Sequence, residues 1–192
     1  MKKVSKRFLF ISIGAIVLFM LGMSWFFPYS PFSIYKSYIY KPDPVVAEGY
    51  AQDLNTFKNT YNPSTTDDNR TNNMNQYIVP LFEQDWLIHK DKAKMGNPQI
   101  ESFLIEVKEA RQNLLSLLVE EDYTREEREY LMITVEGLLG LEESIVDLKF
   151  SHSESRSTIN RQFRNLHVSY INTFGRYATF YEVFQNKGRA SE

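Results

Sequence analysis

Ile159, Phe163, Leu166, Tyr170, Thr173, Tyr177, Phe180 and Phe184 recur at spacings of four, three, four, three, four, three and four. An α-helix brings such positions onto one side, and at about 1.5 Å per residue the row covers about 38 Å. His167, Phe174 and Tyr181 form a second row beside it, widened by Ile171 and Ala178. A two-stranded coiled coil needs only a narrow seam, whereas a face this wide asks for more than one neighbouring helix. The expected fold is therefore all-α, an antiparallel bundle of four or five helices. Connections of a few residues between the segments make successive helices antiparallel neighbours.

The other helices follow from the same periodicity. Asp43 stands before Pro44 as cap and first helical residue, and Val46, Tyr50, Leu54, Phe57 and Tyr61 follow until Asn62-Pro63 ends the segment. Residues 62–73 hold no apolar side chain and predict an exposed loop. A second helix is expected from about Met74 to Lys94, with Pro80 either beginning or kinking it. Gly96-Asn97-Pro98 opens a third, marked by Ile100, Phe103, Val107, Ala110, Leu114 and Leu117. Thr124 and Glu127 fit a capping box ahead of a fourth, which carries Leu131, Leu138, Leu141, Ile145 and Leu148. Gly137 and Gly140 lie inside it, where each costs about 1 kcal/mol relative to alanine and predicts a close helix neighbour.

The beginning of the chain is of another kind. Lys2, Lys3, Lys6 and Arg7 precede an uncharged apolar run from Phe8 to Phe27, long enough as a helix to cross the roughly 30 Å hydrocarbon core of a bilayer. Trp25, Phe26, Phe27 and Tyr29 supply interfacial rings, and Pro28 and Pro31 stop the helix. The cations hold the N-terminus in the cytoplasm by the positive-inside rule. A cleaved signal peptide competes, because Gly22-Met23-Ser24 is a small-x-small triplet. The length of the apolar run and the bulky Trp25-Phe26-Phe27 after it favour an uncleaved anchor. The 192 residues thus divide into a cytoplasmic tail and transmembrane anchor (1–27), a juxtamembrane stalk or interfacial segment (28–43) with Phe32, Tyr35 and Ile39 at helical spacing, and an extracytoplasmic helical bundle (44–192).

Charge is uneven. Residues 97–148 carry 4 basic and 13 acidic side chains, residues 149–192 carry 7 basic and 3 acidic, and this predicts an acidic helix pair lying against a basic helix. No segment is basic enough to point to nucleic acid. The chain has no cysteine, so neither disulfides nor a lipid-modified N-terminal cysteine enters. The outline suits a bacterial cell envelope, and for that reason the Asn69-Arg70-Thr71 glycosylation triplet carries no weight.

Chemistry is sparse. His89, His152 and His167 fall in three separate segments, with no two histidines at ligand spacing and no His near a repeated carboxylate beyond the Asp85–His89 pair. Neither a phosphate-cradling glycine loop nor a nucleophile elbow occurs. No catalytic residue, metal or cofactor is expected. The aromatic rows are read chiefly as core, yet the hydroxyls of Tyr170, Tyr177 and Tyr181 need partners if buried: the surface, a carboxylate such as Glu136 or Glu142, or a ligand in a cleft. His167, Tyr170, Phe174, Tyr177 and Tyr181 are accordingly the candidate ligand or partner contacts. The expected function is a membrane-anchored protein-interaction domain, an accessory or scaffolding component of an envelope complex. Its partners would be the bilayer, through Phe8 to Phe27, and a membrane or envelope protein or a second copy. The alternatives are a ligand-binding sensor working with a transmembrane partner and a self-associating structural protein. Gly14 and Gly22, eight apart, offer only a weak helix-pairing face.

Overall fold

A computed structural model describes residues 6–60 and 69–190. Among the described residues seven helices and two short strands follow in the order α1 (Lys6–Phe26), β1 (Ser37–Tyr40), α2 (Pro44–Thr60), α3 (Arg70–Phe82), α4 (Asp85–Ile88), β2 (Ala93–Gly96), α5 (Asn97–Glu120), α6 (Arg125–Lys149) and α7 (Arg156–Ala190). The chain is mostly helical, with one apolar helix at its start.

The long helices begin where side chains satisfy free backbone amides. Asp43 Oδ1 accepts from the amide of Val45 at 2.9 Å, and Thr124 and Glu127 form the reciprocal capping box of α6. α6 packs against both α5 and α7. The ion pairs across α5 and α6 join Glu101 to Lys149 at 2.8 Å and Arg111 to Glu142 at 3.0 Å, so numbers rise along one helix as they fall along the other. All eight positions of the long α7 row except the half-buried Phe184 are buried, as are Ile100, Phe103, Val107, Ala110, Leu114 and Leu117 of α5. On α2 the buried face is Ala47, Tyr50, Leu54 and Phe57, one position away from the exposed Val46. Gly137 does mark a close approach, since a Cβ there would sit 2.9 Å from Thr173 Oγ1. Nothing lies within 4 Å of a Cβ at Gly140, so its neighbour is solvent.

Four expectations are corrected. The fold is not wholly helical: β1 pairs antiparallel with β2, from Ser37 opposite Gly96 to Tyr40 opposite Ala93. The helical spacing of Phe32, Tyr35 and Ile39 is not realised, because Tyr38 and Tyr40 alternate inward as a strand does and pack on Phe163. Residues 37–40 are thereby folded onto α7. The helix expected from Met74 to Lys94 instead starts at Arg70 and ends at Phe82, two residues past Pro80, whose missing N–H weakens the ladder; α4 and β2 take up the remainder. The loop expected over 62–73 yields its last residues to this helix: Asn69 Oδ1 caps it through the amide of Thr71, and Thr71 is buried against the Tyr123 hydroxyl at 2.6 Å. Its first residues, 62–68, lie outside those described.

Candidate functional site

The five candidate contacts on α7 lie in the interior. His167, Tyr170, Phe174, Tyr177 and Tyr181 are all at most 4 % exposed and are enclosed by rings from α2, α3, α4 and β1. Trp86 meets Tyr170 edge-on at 5.4 Å, Phe57 meets Tyr181 at 5.6 Å, and Phe174 receives Tyr50 and Phe57 at 5.6 and 5.5 Å. Such edge-to-face pairs place ring edges on ring faces, each worth about 0.5–1.5 kcal/mol beyond burial.

The hydroxyls of Tyr177 and Tyr181 are met from within the chain by side-chain amides rather than by Glu136 or Glu142. Tyr177 donates to Asn75 Oδ1 at 2.5 Å and Tyr181 to Asn72 Oδ1 at 2.6 Å. His167 Nε2 lies 3.1 Å from the carbonyl of Leu87, which can only accept, so this nitrogen carries the proton. Nδ1, 3.0 Å from the Tyr40 hydroxyl, then accepts. Burial lowers the pKa of His167 and fixes this neutral form. The Tyr170 hydroxyl, fully buried, forms no hydrogen bond of good geometry, although the Gln84 side chain lies near enough to act on it as a weak hydrogen-bond partner and the Glu106 charge opposes its ionisation. Burial pushes the phenols of Tyr170 and Tyr177 far up and that of Tyr40 to about 12, so none of them ionises near neutrality. The cluster is thus a set of internal hydrogen bonds, in which Asn72, Asn75 and Tyr40 are the partners that spacing along α7 gives no means of finding.

A groove of about 720 Å³ opens beside it between α2 and α6, across α7. Tyr50, Phe57 and Phe174 are its buried members, while Asp53, Asn172 and Arg176 are exposed at its edge. Of the five candidates only Phe174 lines it.

The orientation residues divide. Lys2 and Lys3 lie outside the described residues. Lys6 and Arg7 stand in the first turn of α1, with Lys6 exposed. Trp25, at the other end, is held by Arg156 of α7, whose Nε donates to the Trp25 carbonyl at 2.8 Å and whose guanidinium lies 4.8 Å above the indole ring. His152 Nδ1 reaches the carbonyl of Tyr29 at 3.3 Å, and Tyr29 in turn donates to the carbonyl of Met95 at 2.9 Å. The end of α1 is therefore attached to α7, and Tyr29 just beyond it to β2, by contacts between residues 131 and 66 apart that no local pattern announces.

Asp85 and His89 do meet, at 3.4 Å on an exposed turn. Among the described residues there is no group of three or more His, Asp or Glu side chains placed to hold a metal ion. No protein-family model, no curated protein and no solved structure matches the chain.

Proposed function

We propose that this is a single-pass membrane protein whose N-terminus is cytoplasmic and whose remaining helices form an antiparallel bundle outside the membrane, there to bind another envelope protein. One observation carries the reading. The segment Phe8–Phe26 has a mean hydropathy of 2.2 and only 6 % of it is buried, so it is an apolar helix that the rest of the chain does not cover. The core helix of a soluble protein would be covered. Attachment of Ser24 and Trp25 to the folded part argues for retention of this helix, since cleavage after the small residues at 22–24 would remove or free those contacts. The opposed ion-pair numbering of α5 and α6 supports the antiparallel arrangement.

The mechanism is tethering. Confinement to the membrane raises the effective concentration of the bundle for partners in the same plane. A second reading, a ligand-binding sensor, is favoured by the aromatic groove between α2 and α6. A thermal shift of the purified protein with a small molecule, abolished by substitution at Asp53 or Arg176, would establish it.

The test is made on the full chain with a C-terminal tag in bacterial cells. The chain is expected in the membrane fraction at full length, resistant to alkaline carbonate, with its tag digested by protease added to intact spheroplasts. Mild crosslinking should then recover a membrane protein in stoichiometric amount. A carbonate-soluble or shortened product overturns the anchor, and recovery of the chain only with itself overturns the accessory role in favour of self-association.

A further inference from the structure

Residues 30–35 reverse the usual arrangement of polar and apolar side chains. Ser24, Ser30 and Ser33 are buried, at 8, 3 and 4 % exposure, whereas Phe32, Ile34 and Tyr35 are 56, 51 and 70 % exposed. Exposed single apolar residues are ordinary, but a cluster outside with serines inside is not. The serines tie up the backbone of the turn. The amide of Ser30 donates to the carbonyl of Phe27 at 3.1 Å and that of Ser33 to the carbonyl of Ser30 at 2.9 Å. The amides of Phe32, Ile34 and Lys36 donate to the hydroxyls of Ser30, Ser24 and Ser33 at 3.2, 2.7 and 3.3 Å. Pro28 and Pro31 have no N–H to satisfy. Meeting these amides within the chain lowers the cost of bringing irregular backbone against lipid, because hydrocarbon supplies no hydrogen bonds.

The direction of this segment fixes its depth. After Pro28 the chain does not continue away from α1 but returns along it: the Ile34 amide reaches Ser24, and the Phe32 ring meets Phe19 edge-on at 5.9 Å. Phe19 lies seven residues before the end of α1 at Phe26, about 10 Å back along the axis. If the bilayer ended below Phe32, the hydrocarbon would hold only the part of α1 from Phe8 to about Phe19, roughly 18 Å of helix, far less than the roughly 30 Å a span needs. Crossing the bilayer therefore carries the returning segment into it.

We propose that residues 28–35 form an apolar hook immersed in the bilayer leaflet on the side of the folded domain, with Phe32, Ile34 and Tyr35 among the lipids. The inference rests on the anchor reading and adds a second membrane-contacting element to it. Its occupant is the bilayer, identified by continuity with the spanning helix. Joined through Tyr29 to His152, in the turn before α7, and to Met95 of β2, the hook seats the domain flush on the membrane in one orientation. It gives the domain no slack to reach outward.

The absence of native cysteine allows single labels to test this. Full-length Val17→Cys, Ile34→Cys, Tyr35→Cys and Val119→Cys proteins are spin-labelled in vesicles of phosphatidylethanolamine and phosphatidylglycerol, and their accessibility to oxygen and to a water-soluble nickel chelate is compared. Val17 marks the middle of α1, and Val119, 85 % exposed on α5, marks the aqueous surface. The oxygen-to-nickel ratio at 34 and 35 is expected to approach that at 17 and to exceed clearly that at 119. Ratios at 34 and 35 equal to that at 119, with 17 still in the bilayer, overturn the hook and leave the anchor standing. An aqueous value at 17 overturns both.

Discussion

At the scale of single residues, two tyrosines seven positions apart in the same row of α7 should respond differently to loss of a hydroxyl. Tyr177 donates to Asn75, a buried amide whose Nδ2 has no partner, so Tyr177→Phe leaves a second polar atom of the same side chain unsatisfied. A buried orphan of this kind costs about 1–3 kcal/mol. Tyr170→Phe removes a hydroxyl that forms no good hydrogen bond, and is expected to leave the unfolding midpoint unchanged or raise it. Urea unfolding of the detergent-solubilised chain reads both, and equal losses would refute the assignment. His167 adds a pH dependence. Its pKa is lowered in the folded state by burial, while the unfolded chain takes up the proton at about 6.5. The unfolded state thus binds more protons below that value. The stability due to neutral His167 is complete above about pH 6.5 and is lost as pH falls through the lowered folded value, by up to about 1.4 kcal/mol per pH unit. Unfolding midpoints measured from pH 7.5 to 5 should show this loss, and His167→Gln, whose amide can still donate to the Leu87 carbonyl, should reduce it.

Elements assigned from periodicity and from capping differ in how they fared, and the reason lies in what each signal contains. Helices α5, α6 and α7 are long and carry their apolar rows over several turns, so one misplaced residue does not hide the pattern. β1 has four residues, too few to separate the alternation of Tyr38 and Tyr40 from the three- and four-residue spacing of Phe32, Tyr35 and Ile39. Its partner β2 lies some 55 residues away in a stretch that reads as the end of a helix. The strand nonetheless covers a costly surface. Tyr38 stacks on Phe163 at 5.7 Å and donates to Asn160 at 2.9 Å, and Tyr40 packs on Trp86 and holds His167. Replacing one buried aromatic by alanine costs about 3–5 kcal/mol. A chain starting at Ser37 is therefore expected to melt well above one starting at Pro44, by far-ultraviolet circular dichroism. Equal melting would show that the small sheet is dispensable and that the domain begins at α2.

Across the whole molecule, the charge asymmetry resolves differently from its simplest reading. Glu142 of α6 lies between Lys108 and Arg111 of α5, and Lys149 of α6 meets Glu101 of α5, so the acidic helices use their own few cations to pair with each other. The basic α7 spends Arg156 on the end of α1 and Arg176 on the carbonyl of Ile133 at 3.4 Å. These contacts sit at the surface and add little individually. Burial of the aromatic rows holds α7 in place, and the ion pairs lie around it.

Two properties were fixed by the amino-acid sequence alone: an apolar helix of spanning length preceded by cations, and long helices whose buried faces include every position of the α7 row but its last. Both are local, because hydrophobic periodicity and length are carried by consecutive residues and act wherever the segment finds itself. Which polar atoms meet across the core, the pairing of β1 with β2, the attachment of Trp25 to Arg156 and the return of residues 28–35 along α1 depended on tertiary structure. Each joins groups brought together only by the packed chain. A hydroxyl or a carbonyl can be satisfied by many partners, and only three-dimensional proximity decides which one it has.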